Sequence, residues 1–180
     1  MKIVKWVLIV IGILIAIPLL VALFLPKEYS VSRDVTINKP KELVFAYVKS
    51  LKNQNNWATW NQMDPNQKNE YKGEDGTPGF IHAWVGNPEN VGTGEQEIIK
   101  ITEGERIDFE LRFTIPWEST ASAWITTEGS GDMQTKVTWG MSGKMPYPMN
   151  FMQVFMNMED MIGTQYAKSL LNLKEILEAQ

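Results

Sequence analysis

Few residues in this chain could carry chemistry. There is one imidazole, His82, and no cysteine, which excludes disulfides, thiolate zinc sites, imidazole metal clusters and any triad needing a spare histidine. Phe80, His82 and Trp84 alternate onto one face of a short apolar run. An imidazole there could carry a proton or hold the polar end of a ligand, with Tyr166 as its candidate partner. Its more ordinary role is that of a hydrogen-bonded core or rim histidine. Asp64 completes the catalytic candidates, although as the residue before Pro65 it also suits the start of a turn. Carboxylates alone could bind calcium, but Asp64-Pro65-Asn66-Gln67-Lys68 puts a lysine where an EF-hand loop needs its third oxygen. No metal and no cofactor is expected. Nucleophile elbows, phosphate loops and metalloprotease helices are absent, and Gly92-Thr93-Gly94 leads into a strand rather than a helix.

The apolar residues say more. Ile107, Phe109, Leu111, Phe113 and Ile115 alternate with Asp108, Glu110, Arg112 and Thr114, as in an antiparallel strand with one oily and one wet face. Met133, Val137, Trp139 and Met141 share a face in the same way. After Pro146 and Pro148 the period becomes helical: Phe151, Phe155, Met158, Ile162, Tyr166, Leu170, Leu173 and Leu177 recur every three or four residues, with Gly163 as a point of bending. A sheet and a helix that each have one apolar side must pack together. Trp84, Phe109, Phe113 and Trp139 from the sheet, with Phe155, Met158, Ile162 and Tyr166 from the helix, are the candidate lining of an apolar binding site. Trp57 and Trp60, one turn apart, are read first as packing residues and second as a ligand clamp. Seven of the ten methionines fall in residues 141–161, a flexible surface suited to irregular apolar shapes.

The elements that position these residues follow from turns and periodicity. Residues 29–37 read as a strand. Pro40 opens a helix with Leu43, Val44, Tyr47 and Val48 on one side, and a second short helix covers residues 56–60. Glycine-rich turns then recur at strand intervals, including Gly73-Glu74-Asp75-Gly76, Gly86-Asn87-Pro88, Glu103-Gly104-Glu105 and Gly129-Ser130-Gly131-Asp132. The order strand, short helices, several strands, long helix is that of an α+β helix-grip fold, a curved antiparallel sheet wrapped around a C-terminal helix.

Residues 6–25 carry no charge, and as a helix of ~1.5 Å rise per residue they span roughly 30 Å, the thickness of a hydrocarbon core. The run is longer than a signal-peptide core and lacks a small-x-small cleavage site. It therefore predicts a single-pass anchor in the lipid bilayer, residues 1–27, ahead of one domain, residues 28–180. The short head with Lys2 and Lys5 favours an exported, extracytoplasmic domain, against Lys27, Arg33, Lys39 and Lys41 on the other flank. The formal net charge of −4, with basic residues spent partly on that head, argues against nucleic-acid binding.

With these residues in hand, the chain from about residue 29 to 178 resembles the START/polyketide cyclase superfamily, SRPBCC. The matching features are Val44-Phe45, Trp57-x-x-Trp60 followed by Asp64, Tyr71-x-Gly73, and Gly79 ahead of Ala83-Trp84-x-Gly86-Asn87. Gly92-x-Gly94, Phe113-x-x-Pro116, Thr138-Trp139 and Leu170-x-x-Leu173-Lys174 continue the series. The layout is similar to the membrane-anchored polyketide cyclase/dehydrase branch. The resemblance implies a deep pocket for an apolar small molecule or lipid, and it transfers no catalytic set. Three readings stay open: a membrane-anchored binding or carrier domain, a cyclase or dehydratase-like enzyme using His82, Tyr166 and Asp64, and an interaction or chaperone-activator-like module with a filled pocket.

Overall fold

The computed structural model describes residues 2–131 and 133–180. Met1, the side chain of Lys2, and Asp132 of the expected 129–132 turn lie outside the described residues. With no polar face in any register, the N-terminal run forms a continuous helix, α1 (Lys2–Phe24), whose apolar side chains are exposed along almost its whole length. The stretch Ile3–Phe24 is long and apolar enough to cross a membrane.

Alternation in the next segment becomes β1 (Glu28–Ile37), which turns Tyr29, Val31, Arg33, Val35 and Ile37 inward. Three helices follow: α2 (Lys41–Lys49), α3 (Gln54–Trp57) and α4 (Thr59–Gln62). The sequence predicts only one short helix after α2. The extended backbone at Ala58 divides it, so that Trp57 is fully buried and Trp60 only partly. The buried face of α2 is Val44, Phe45 and Val48, with Leu43 exposed. Phe45 therefore takes the inward place expected of Leu43.

Among the described residues, the strands β2 (Lys68–Lys72), β3 (Ile81–Val85), β4 (Thr93–Thr102), β5 (Arg106–Ile115), β6 (Ser119–Gly129) and β7 (Thr135–Lys144) join β1 in one seven-stranded antiparallel sheet. Its order is β1-β7-β6-β5-β4-β3-β2. A register shift between Ile98 and Lys100 adds to the bend of β4. The inner row of β7 is Thr135, Val137, Trp139 and Met141. Met133 precedes the strand and is exposed, so it does not join that row.

The C-terminal helix α5 (Met158–Glu178) lies against β1, α3 and α4. Ile162, Tyr166, Leu170, Leu173 and Leu177 form its buried stripe, each full burial stabilising by about 1.5–3 kcal/mol. The architecture is the helix-grip fold. Two details differ from the sequence reading. The helix does not start near Phe151: residues Met149–Val154 form a 3-10 turn, and Asn157 then caps α5 by accepting from the Asp160 backbone N–H at 3.2 Å. Phe155 falls in the break and is 78% exposed, outside the apolar stripe. Nor does Gly163 interrupt α5. It is buried, and a Cβ there would run into the guanidinium of Arg33. The glycine makes room for a side chain crossing from β1.

Candidate functional site

Where the edge strand β1 meets the start of α5, an open cleft of about 490 Å³ is lined by Tyr29, Ser30 and Val31 on one side and by residues 153–159 on the other. Its apolar wall is Val31, Val154, Phe155 and Met158, and its polar wall is Asn157 and Glu159. Arg33 bridges the strand to the helix above it. Its Nη1 donates to Glu159 Oε1 at 2.6 Å and its Nη2 to the Glu159 carbonyl at 3.3 Å. The pair is part-exposed, so it contributes at most about 1 kcal/mol and acts mainly as a positional tie.

Deeper in, the space between sheet and α5 is occupied by stacked rings. Trp139 lies parallel to Tyr166 with centroids 4.1 Å apart, and its other neighbour Trp57 meets it edge-on at 4.9 Å. The indole N–H groups of Trp57 and Trp139 are buried without a hydrogen-bond partner among the described residues. Burial, and secondly the nearby Tyr29, raise the Tyr166 hydroxyl far above the usual phenol range. Burial also raises Tyr29. Both tyrosines therefore stay neutral at physiological pH.

A second aromatic row crosses the far end of the sheet. Tyr71 stacks on His82 at 4.9 Å and on Phe80 at 6.0 Å, His82 is tilted against Trp84 at 5.9 Å, and Trp84 meets Phe113 edge-on at 5.9 Å. The Trp84 ring lies across Gly94 of β4, where a side chain would collide with it. His82 Nε2 is 2.8 Å from Asn69 Oδ1, which also accepts from Gln67 Nε2 at 2.7 Å. That shared acceptor assigns the proton to His82 Nε2 and leaves Nδ1 as a lone pair. Burial pushes the imidazole down to about 4, against the opposing pull of the Asp75 carboxylate. At neutral pH it is an uncharged, weakly basic ring.

The structure therefore separates the three catalytic candidates. His82 is bound to Asn69, Tyr166 is stacked on Trp139, and Asp64 is a loop pin accepting from the backbone N–H groups of Asn66 and Asn87 at 2.9 and 2.7 Å. Of the expected lining residues, Phe109, Trp139, Ile162 and Tyr166 are buried in the core, while Trp84, Phe113 and Met158 are partly buried. Phe155 stands at the outer lip of the cleft. Sequence reasoning missed Tyr29, Arg33 and Glu159. The inward alternation of β1 carries a signal for the first two, but nothing in the spacing links Arg33 to a residue so far along the chain. Among the described residues no group of three or more acidic or histidine side chains gathers to hold a metal.

A curved sheet gripping a C-terminal helix, with aromatic side chains between them, defines a helix-grip protein. The chain belongs to the family described as polyketide cyclase / dehydrase and lipid transport, whose profile matches residues 28–178. Solved structures share the fold at low identity. Truncated norcoclaurine synthase from Thalictrum flavum superposes with a TM-score of 0.64 at 11% identity, covering 85% of this chain and 96% of that one. A protein from Nitrosospira multiformis gives 0.58 at 18% identity, covering 82% and 94%. The Aha1 dimer from Colwellia psychrerythraea gives 0.57 at 17%, covering 83% and 96%. No curated protein matches the sequence.

Proposed function

We propose that this protein is a membrane-anchored binding module for a lipid or other apolar small molecule. In this reading residues 1–27 are the anchor, α1 spans the bilayer, residues 28–180 are the binding domain, and the cleft between β1 and residues 153–159 admits the ligand. The observation that carries it is that the cleft and the exit of α1 share one end of the domain: β1 begins at Glu28, four residues after α1 ends at Phe24. The family description supports it by including lipid transport. A helix-grip relative, norcoclaurine synthase, was solved in complex with dopamine and hydroxybenzaldehyde, so the scaffold can hold small aromatic molecules.

A second reading, an interaction module whose interior is filled by its own side chains, draws on the close packing of Trp57, Trp139 and Tyr166. Titration of the full chain in lipid nanodiscs with a fluorescent fatty acid, followed by anisotropy, separates the two. The binding reading expects a saturable component above linear partitioning into lipid. Met158→Trp, which adds bulk at the cleft wall, should weaken that component about tenfold, roughly 1.4 kcal/mol. If the unmodified protein shows only linear partitioning, the binding reading fails and the filled module stands.

A further inference from the structure

The strand register places several loops beside the exit of α1. Glu28 pairs with Lys144, so the start of β1 lies beside the end of β7. Ala121 pairs with Gly143, and Phe113 with Ser119, so the tip of the β5–β6 hairpin lies at that same end. At ~4.8 Å per strand, this tip is roughly 10–15 Å across the sheet from the start of β1, which follows the exit of α1.

This end carries unusual side chains. Ile115 and Trp117 on the hairpin tip are 43% and 63% exposed, and Tyr147, Met149, Val154 and Phe155 in the segment before α5 are 42%, 48%, 53% and 78% exposed. At the opposite end, the β4–β5 turn is Glu103-Gly104-Glu105. The last turn of α1 is also fastened to the domain rather than loosely tethered. Ala22 is fully buried, Asn150 Nδ2 donates to the carbonyls of Ala22 at 2.7 Å and Leu25 at 3.1 Å, and Gln153 Nε2 donates to Pro26 at 2.8 Å. The Met145 backbone N–H completes the clamp on the Lys27 carbonyl at 2.8 Å.

We propose that this end of the domain is a second membrane-contact surface, with Ile115, Trp117, Tyr147, Met149, Val154 and Phe155 seated in the interfacial layer of the bilayer that α1 spans. The inference rests on the anchor reading of α1 and goes beyond it. Three residues, 25–27, separate α1 from β1; at no more than ~3.5 Å each they hold the domain within roughly 10 Å of the helix end. The interfacial layer is itself several ångströms thick, so the fringe reaches it without the clamp opening. Tryptophan and tyrosine suit that layer because one end of each ring is apolar and the other binds water. A bilayer accounts for the patch without a protein partner, since the clamp fixes the angle at which the patch meets the lipid. Seated this way, Phe155 and Val154 bring the cleft to headgroup level, where a lipid could leave the bilayer without crossing bulk water.

The chain has no cysteine, which allows single spin labels on the full-length protein. Labels at Ile13→Cys, Glu118→Cys, Val154→Cys and Glu105→Cys would be read by relative accessibility to oxygen and to a water-soluble nickel chelate. The protein would be in phosphatidylcholine–phosphatidylglycerol vesicles. The expected result is lipid-like accessibility at 13, 118 and 154 and aqueous accessibility at 105. Adding Trp117→Asp and Phe155→Asp should shift 118 to the aqueous value while 13 stays in lipid. Lipid-like 13 with aqueous 118 and 154 overturns the contact surface and leaves the anchor intact, pointing to a protein partner for the patch. An aqueous 13 overturns the anchor reading and the surface with it. Labels at 118 that stay in lipid despite both aspartates also overturn the proposal, because apolar side chains would then not be what seats this end.

Discussion

His82 gives a stability test with a single-residue readout, because it is the only histidine. Its side chain is 2% exposed, stacked on Tyr71 and bonded to Asn69, and burial pushes its pKa from 6.5 down to about 4. Between these values the unfolded chain binds a proton that the folded chain refuses, so stability rises with pH there. The contribution is fully present above pH 6.5 and is lost as pH falls towards 4. At pH 5 the loss from this one residue comes to about 2 kcal/mol, and below pH 4 it levels off at roughly 3 kcal/mol. Against a total stability of about 5–15 kcal/mol, this is a sizeable fraction. The assay is urea unfolding of the full chain in detergent micelles at pH 7, 6 and 5, comparing the protein with His82→Gln. The substitution should lower stability at pH 7 and flatten the dependence between pH 7 and 5 by about 2 kcal/mol. The Cε1 proton resonance of the sole imidazole gives the folded pKa directly. A measured value of 6 or above, or the same pH dependence in His82→Gln, would refute the assignment of a buried, neutral imidazole.

Two further outcomes follow from particular contacts. Asp75 accepts from the Ser50 hydroxyl at 2.5 Å and from the Leu51 N–H at 2.8 Å, so Asp75→Ala should cost about 1–3 kcal/mol in urea unfolding and lower the His82 resonance pKa further; a loss under about 0.5 kcal/mol would show that water replaces the carboxylate freely. Gly163→Ala should gain about 1 kcal/mol of helix propensity but lose much of it by displacing the Arg33 guanidinium, whereas in an Arg33→Ala background the full gain should appear. Equal gains in the two backgrounds would mean that Arg33 does not lie over the glycine.

The sequence alone determined the fold class and which faces turn inward, while of the expected lining residues only Phe155 and Met158 border the cleft. Periodicity is a local property, and a run such as Ile107, Phe109, Leu111 and Phe113 can bury only one face whatever its neighbours do. The same logic set the inner stripe of α5 from Ile162 onward and the exposed, uniformly apolar α1. Only the tertiary structure decided the break at residues 155–157. The helical spacing of Phe151 and Phe155 continues through it, but Asn150 and Gln153 are drawn away to cap the end of α1, and Asn157 restarts the helix. The roles of single polar residues were likewise beyond local reading. Tyr166 was a candidate partner of His82 that no spacing could establish, and the sheet pairs β2 with β3 and brings Asn69 to the imidazole instead. Arg33 and Glu159 meet only because α5 packs back on the first strand, a contact between the two ends of the domain that no sequence period encodes.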